Sequence, residues 1–180
     1  MSCDIAKGRL EPCKDVVGGL KSLYFVNYGD IASVAKLDTE GNEDVIDTIT
    51  PEDAEAFAYR YDIKGASSFT QNIQSSRDTG TTAFEQVIEV TLKKLSIQDH
   101  KELKFLAYGR PHVIVEDYNG SLFFAGLEHG VEVTGGTIVT GTAMSDLSGY
   151  TLTLTGMERE PANFLSKDMT ATGFTVVVGA

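Results

Sequence analysis

The sequence predicts a mainly β fold: a β-sandwich or barrel-like domain with one flanking α-helix and one long polar hairpin. Short segments of aromatic and β-branched residues recur along the chain, turn residues separate them, and a single segment has the capping pattern of a helix. The 180 residues include 18 glycines and 4 prolines, which favours short strands and tight turns. We expect an N-terminal arm over residues 1–15 and a single β-rich domain over residues 16–180.

The first half of the chain is predicted to contain four strands ahead of the hairpin. Phe57, Tyr59 and Tyr61 alternate with smaller or charged residues, and this period of two indicates a strand. The preceding Thr50-Pro51-Glu52-Asp53 resembles the start of a helix, but we predict at most one helical turn there. The predicted strands cover residues 20–28, 31–37, 45–49 and 55–64.

A long polar segment over residues 67–82 is predicted to form a hairpin, over about residues 67–88, or an extended loop. Its large apolar residues are Phe69 and Ile73, so its middle cannot be buried in the protein's own core. Ordering about fifteen residues costs roughly 15 to 30 kcal/mol of backbone entropy. We expect main-chain pairing with a neighbouring subunit to offset that cost. The candidate subunit-interface residues are Phe69, Thr70, Gln71, Asn72, Ile73, Gln74, Arg77, Thr81 and Thr82.

One helix is predicted, over about residues 96–107. Ser96 is placed to cap the amides of the first turn, and Asp99 occupies the third helical position as in a capping box. Leu103 and Leu106 share one face of that helix. Gly109 follows the last turn, so the helix is expected to end there.

Glycine turns are predicted to join the strands of the last third. Asn119-Gly120 favours a hairpin turn because both residues accept positive φ angles. Asp117 ahead of them resembles the start of a calcium loop, and Glu128 stands at the twelfth position, but a predicted strand rather than a loop separates the two, so we predict a β-turn bonded by the Asp117 side chain. Gly135-Gly136 predicts a β-bulge. The predicted strands cover residues 112–117, 121–126, 131–139, 150–155 and 174–178, the last of them paired in a sheet.

The sequence lacks the patterns that catalysis and cofactor binding require. It contains no Gly-x-Ser-x-Gly elbow and no glycine-rich phosphate loop. His100, His112 and His129 have no second histidine at metal-ligand spacing, and each is interpreted as a surface or turn histidine. Cys3 and Cys13 match neither a redox motif nor a zinc pair, which predicts two free thiols. We predict no enzymatic activity, no cofactor and no metal site.

The charge balance excludes some partners. The net charge is −11, from 26 acidic and 15 basic residues, whereas a nucleic-acid binder needs clustered lysine and arginine. The acidity either maintains solubility or forms a surface that DNA passes without sticking. No apolar run is long enough for a membrane span and the N-terminus lacks the apolar core of a signal peptide, so we expect the protein to be made and kept in a cytoplasm.

Three stretches resemble a known family. Residues 13–21 (CKDVVGGLK) with 23–28 (LYFVNY), residues 115–120 (VEDYNG) and residues 146–152 are similar to virion structural proteins of phages that infect Bacteroidetes. The order of elements also resembles the major tail tube proteins of long-tailed phages, whose fold is a β-sandwich with one flanking helix. The likeness extends over most of the chain.

The resemblance implies a homo-oligomer of stacked hexameric rings in the tail of a virion, assembled in the host cytoplasm. Sheets from all subunits would form an inner barrel, and DNA would pass through its lumen without specific binding. The implied partners are other copies of the chain and other tail proteins: tape measure, terminator and baseplate.

Two other interpretations stay open. One is a different virion component, such as a tail terminator, a capsid decoration protein or a fibre-base protein, which binds a preformed structure without polymerising. The other is a carbohydrate-binding β-sandwich that stacks sugars on Tyr24, Tyr59 or Tyr61, although the chain has no tryptophan.

Overall fold

The computed structural model describes residues 5, 7–11, 13–169 and 172–179. These residues form twelve strands and one helix in three sheets, so the predicted mainly β fold with one helix is confirmed. The elements are β1 (Leu20–Val26), β2 (Ile31–Lys36), β3 (Ile46–Pro51), β4 (Phe57–Asp62), β5 (Ser68–Ser76), β6 (Thr81–Lys93), α1 (Ile97–Tyr108), β7 (His112–Asp117), β8 (Leu122–Ala125), β9 (Glu132–Val139), β10 (Gly149–Glu158), β11 (Asn163–Phe164) and β12 (Thr175–Val178).

The three sheets differ in size and strand order. A six-stranded sheet has the order β11-β8-β7-β1-β4-β12, a four-stranded sheet has the order β5-β6-β10-β9, and β2 pairs with β3. All pairs are antiparallel except β12 with β4. The pairing of β12 confirms that the chain is held in a sheet over residues 175–178.

Two apolar cores cover the two faces of the six-stranded sheet. On one face, Leu23 and Val115 pack against Ile88 and Leu154 of the four-stranded sheet. On the other face, the side chains of Tyr24, Ile114 and Phe124 pack against the β2–β3 pair and the segment before β12. The six-stranded sheet is therefore the middle layer, whereas the four-stranded sheet is an outer layer.

The capped helix forms where the sequence predicts it, one residue later at each end. Ser96 Oγ accepts a hydrogen bond from the Asp99 amide at 3.0 Å, which satisfies one of the unpaired amides of the first turn. Leu103 is buried and Leu106 is partly buried against the core, so they share the packed face. The Gly109 amide closes the last turn on the Phe105 carbonyl oxygen at 3.0 Å.

The predicted Asp117 turn is also confirmed. Asp117 Oδ1 accepts hydrogen bonds from the amides of Asn119 and Ser121 at 2.9 and 2.7 Å, and Gly120 supplies the positive φ, 82°. This carboxylate is therefore already used in shaping the turn between β7 and β8.

The structure moves two predicted features. Pro51 ends strand β3 instead of beginning a helix, and one turn follows, closed by the Ala56 amide on the Asp53 carbonyl oxygen at 3.2 Å. The register of β9 against β10 shifts at Thr134, one residue before the glycine pair in which the bulge was predicted. The short strand β11 was not predicted, because two residues carry no periodicity.

The described residues of the arm lie outside the helix and the strands. Ile5 and Leu10 are more than 90% exposed, with relative accessibilities of 94% and 91%. Just after the arm, the chain is fixed at Val17, whose amide and carbonyl groups bond the Asn119 side chain at 3.0 and 2.8 Å. The Cys13 thiol is free and exposed, as predicted, while Cys3 lies outside the described residues. Among the described residues, no helix has the length and apolar character that crossing a membrane requires.

Candidate assembly surface

The four-stranded sheet has one apolar and one polar face. The pairing register places Ile88, Val90 and Leu154 on the inner face, toward the six-stranded sheet. Every second residue points the other way and forms what we call the outer face. Its central residues are Thr70, Asn72, Gln74, Thr81, Glu85, Val87, Glu89, Thr91, Glu132, Thr137, Thr151, Thr153 and Thr155.

The outer face is acidic. Its carboxylates are Glu85 on β6, Glu89 on β6 and Glu132 on β9, and its basic residue, Lys93, stands at one end of β6. Glu85 Oε2 accepts hydrogen bonds from the side-chain amides of Asn72 and Gln74 at 3.2 and 3.3 Å. The face is thus negative and lined by hydroxyl and amide groups, which suits contact with water.

The two outermost strands of this sheet, β5 and β9, have free edges. Among the residues that the structure describes, no strand pairs with the outer side of either one. Each edge strand also has an exposed isoleucine, Ile73 on β5 and Ile138 on β9, with relative accessibilities of 70% and 56%. Long free edges with apolar side chains are templates for pairing with another chain.

The β5–β6 hairpin projects beyond the rest of the sheet. Strand β10 ends at Glu158, opposite Phe84, so the last part of the hairpin has no third strand beside it. This ribbon extends by roughly 10 Å at ~3.3 Å per residue. Arg77 and Asp78 lie in its exposed turn.

A cleft lies at the opposite end of the same sheet, between α1 and the ends of β4 and β6. Its volume is about 350 Å³, and Tyr61 and Tyr150 line it. Burial, together with the nearby carboxylates of Glu102 and Asp99, raises the pKa of Tyr61, so its hydroxyl stays protonated at neutral pH. The charged groups at the cleft are the side chains of Asp62, Lys64, Lys93 and Asp99.

The predicted interface residues do not form one surface. Phe69 and Gln71 point inward: the Phe69 ring packs on the Phe123 ring at 5.9 Å, and Gln71 Oε1 accepts a hydrogen bond from the Ala162 amide at 2.8 Å. Ile73 and Thr82 share that side but lie on the exposed ribbon. The remaining candidates are on the outer face or in the turn: Thr70, Asn72, Gln74, Thr81 and Arg77.

The backbone of the hairpin is paired within the chain. Residues 68–76 pair with residues 81–89 in a continuous register, so part of the ordering expected from a neighbouring subunit is supplied by β6. The outer edge of β5 is what remains for a neighbour.

Sequence reasoning missed the contribution of β9 and β10 to this surface. Glu132 and Thr137 are far from the hairpin in sequence and join it only through strand pairing. The signal that existed was the alternation of threonine with leucine over residues 150–155, which the structure resolves into an outer face of threonine and an inner face of Tyr150, Leu152 and Leu154.

The three tyrosines of the carbohydrate-binding interpretation do not share a face. Tyr59 and Tyr61 lie on one side of β4, whereas Tyr24 is paired beside Arg60 and points to the other side of the sheet. Tyr24 is 6% exposed and belongs to the core under β2 and β3. A sugar could therefore not stack on all three rings.

Comparison of the chain with known proteins found no matching family model, no matching curated protein and no matching solved structure. The geometry of the four-stranded sheet is therefore the main basis for a functional interpretation.

Proposed function

We propose that the protein is a structural subunit that assembles into stacked rings, forming the tail tube of a phage, through which DNA passes. The observation that carries this proposal is the four-stranded sheet, with one polar face and two free edges. Its strands alternate in direction from β5 to β9, so β9 of one copy meets β5 of the next in antiparallel orientation. Closing a ring in this way removes every free edge of the sheet.

The covered face of the sheet supports one choice for the side of the proposed ring that forms the lumen. The six-stranded sheet and the β2–β3 pair are packed behind the inner face, and this bulk fits only outside a closed ring. The outer face then lines the channel. Glu85, Glu89 and Glu132 present carboxylates there. Like charge keeps DNA phosphates from binding to the wall as they pass.

The ends of the sheet support head-to-tail stacking of rings. The hairpin turn and the cleft lie at opposite ends of β6, about 40 Å apart for a thirteen-residue strand at ~3.3 Å per residue. Arg77 can meet the carboxylates of Asp62 and Asp99, and Asp78 can meet the ammonium groups at the same cleft. A contact between two different patches of one chain repeats without limit, as a tube requires. Tape-measure, terminator and baseplate proteins would then act on the two ends of the stack.

The test compares two isoleucine substitutions on the full chain. Ile73→Lys places a charge on the free β5 edge, whereas Ile97→Lys changes an isoleucine at the first position of α1 that is 93% exposed and belongs to neither edge strand. We expect the wild type and Ile97→Lys to form rings or tubes in electron micrographs and to sediment as large species. Ile73→Lys should remain a folded monomer with an unchanged circular dichroism spectrum.

A wild type that stays monomeric at high concentration would contradict the tube proposal. If both lysine variants assemble equally well, the β5 edge is not the ring contact. Arg77→Glu separates ring closure from stacking, because it changes only the hairpin turn. Single rings formed by the wild type itself would favour the other virion component, a terminator-like ring, over a tube.

A further inference from the structure

Glu128, His129 and Glu158 converge on one point at the edge of the sandwich. One ligand atom of each, a carboxylate oxygen or an imidazole nitrogen, lies within 4.8 Å of the other two. His129 Nδ1 is 3.2 Å from Glu158 Oε2. Glu128 and His129 lie in the turn between β8 and β9, and Glu158 is the last residue of β10. No local spacing in the sequence therefore predicts the cluster.

The turn that presents Glu128 and His129 is held by two glycines. Gly126 and Gly130 have φ angles of 67° and 74°, and a Cβ at either position would lie 2.5 Å from backbone atoms. Any other residue at either position would strain the turn and push neighbouring backbone segments apart. The turn places the amides of Glu128 and His129 at the end of β10, where both donate to Glu158 Oε1.

Glu158 is fixed before any ligand arrives. Its side chain is 5% exposed, and Oε1 accepts hydrogen bonds from the Glu128 and His129 amides at 3.1 and 2.9 Å. These bonds hold the carboxylate in one orientation and leave Oε2 facing the His129 ring. A small pocket of about 20 Å³ adjoins it, lined also by Glu128 and Glu160, with room for about one water molecule.

The geometry points to a binding site for one divalent transition-metal ion, held by His129 Nδ1, Glu158 Oε2 and a carboxylate oxygen of Glu128. Metal bonds of about 2.1 Å at angles between tetrahedral and octahedral values place neighbouring ligand atoms roughly 3.0 to 3.4 Å apart. The 3.2 Å separation of Nδ1 and Oε2 falls in that interval. Glu128 is exposed, so its side chain can rotate to close the third bond.

The donor set defines the class of ion. One imidazole and two carboxylates suit borderline ions such as Zn²⁺ or Co²⁺ better than Mg²⁺, which prefers oxygen ligands alone. On binding, the ion takes the Nδ1 lone pair and the neutral imidazole carries its proton on Nε2. The two carboxylates balance the charge of the ion. The site would join the β8–β9 turn to β10 at the end of the sheet from which the hairpin projects.

The test is calorimetric titration with Co²⁺ and thermal unfolding with and without it. It uses the full chain carrying Cys3→Ser and Cys13→Ser, because free thiols bind the same ions. We expect one ion per chain and a melting temperature raised by several degrees, with little response to Mg²⁺. His129→Ala should weaken Co²⁺ binding at least tenfold. His100→Ala is the matched control, since it removes an exposed histidine on α1 and should leave binding unchanged.

Glu128→Gln provides a second variant that leaves the contacts of Glu158 with the turn in place, and we expect it to weaken binding as well. Equal Co²⁺ affinity in His129→Ala and His100→Ala would overturn the site, as would the absence of any saturable binding. The proposal is independent of ring formation, because the calorimetric titration with Co²⁺ gives the same result for monomer or tube.

Discussion

The two main sheets of this protein differ in how their faces are covered. The six-stranded sheet is covered on both faces, so adjacent residues such as Val113, Ile114 and Val115 are all fully buried. The four-stranded sheet is covered on one face, and its strand β10 alternates between leucine and threonine. The difference separates two surroundings: the first sheet is the middle layer of the domain, and the second has a polar face and, among the described residues, two unpaired edges.

The sharpest test of this division exchanges two side chains of nearly equal shape. Val115→Thr places a hydroxyl in the core between the sheets, where Val115 is 0% exposed, and should lower the free energy of unfolding by about 1 to 3 kcal/mol. Thr153→Val makes the reverse change on the outer face and should alter the free energy of unfolding by less than about 0.5 kcal/mol. Urea denaturation of both variants measures the difference. Similar losses in the two variants would show that the outer face is packed as tightly as the core.

Hydrogen exchange tests whether the free edge is used. Amides of residues 74–82 should exchange quickly in the monomer and at least tenfold more slowly in the assembly, because a neighbouring strand then covers the edge of β5. Amides of β7 are the internal control, since β7 already lies between two strands and should exchange alike in both states. Equal protection of residues 74–82 in monomer and assembly would remove the edge-pairing argument.

The smallest effect concerns pH and His112 of the six-stranded sheet, which is buried at the start of β7, so the sequence-based interpretation of it as a surface or turn histidine is wrong. Burial lowers the pKa of His112, although its hydrogen bond to the Gly126 carbonyl oxygen opposes the shift. The unfolded chain therefore binds a proton more readily, so stability should fall as pH drops below the ordinary histidine pKa of about 6.5. For one proton, the free energy of unfolding changes by at most about 1.4 kcal/mol per pH unit.

His112→Asn keeps a donor for the Gly126 carbonyl oxygen but does not titrate. Its free energy of unfolding should change less between pH 7 and pH 5 than that of the wild type, as measured by denaturation at each pH. A variant with the same pH dependence as the wild type would assign the slope to other groups.

Much of the local structure could be predicted because its causes are local. The Ser96 cap, the Asp117 turn and the period of two at Phe57, Tyr59 and Tyr61 depend on residues a few positions apart. The hairpin was also predictable, since its polar composition and its turn residues lie within one segment. Each of these features follows from backbone hydrogen bonding that neighbouring residues decide.

The candidate surfaces could not be predicted in the same way, because they join distant parts of the chain. Glu132 reaches the outer face only by pairing with Thr155, and His129 meets Glu158 across 29 positions. The face on which each tyrosine lies depends on the pairing register. The register places Tyr24 beside Arg60, on the face of the sheet that Tyr61 does not share. A shift of one residue would have reversed each assignment.

The sequence by itself determined that this chain is a β domain with one capped helix, a long polar hairpin and an acidic net charge. Those properties depend on periodicity and turn chemistry, which involve neighbouring residues, and on composition, which needs no folded structure. The tertiary structure alone decided that the hairpin joins β10 and β9 in a sheet with two free edges and one acidic face. Strand order and register arise from apolar burial between distant segments, so only the folded chain defines that surface.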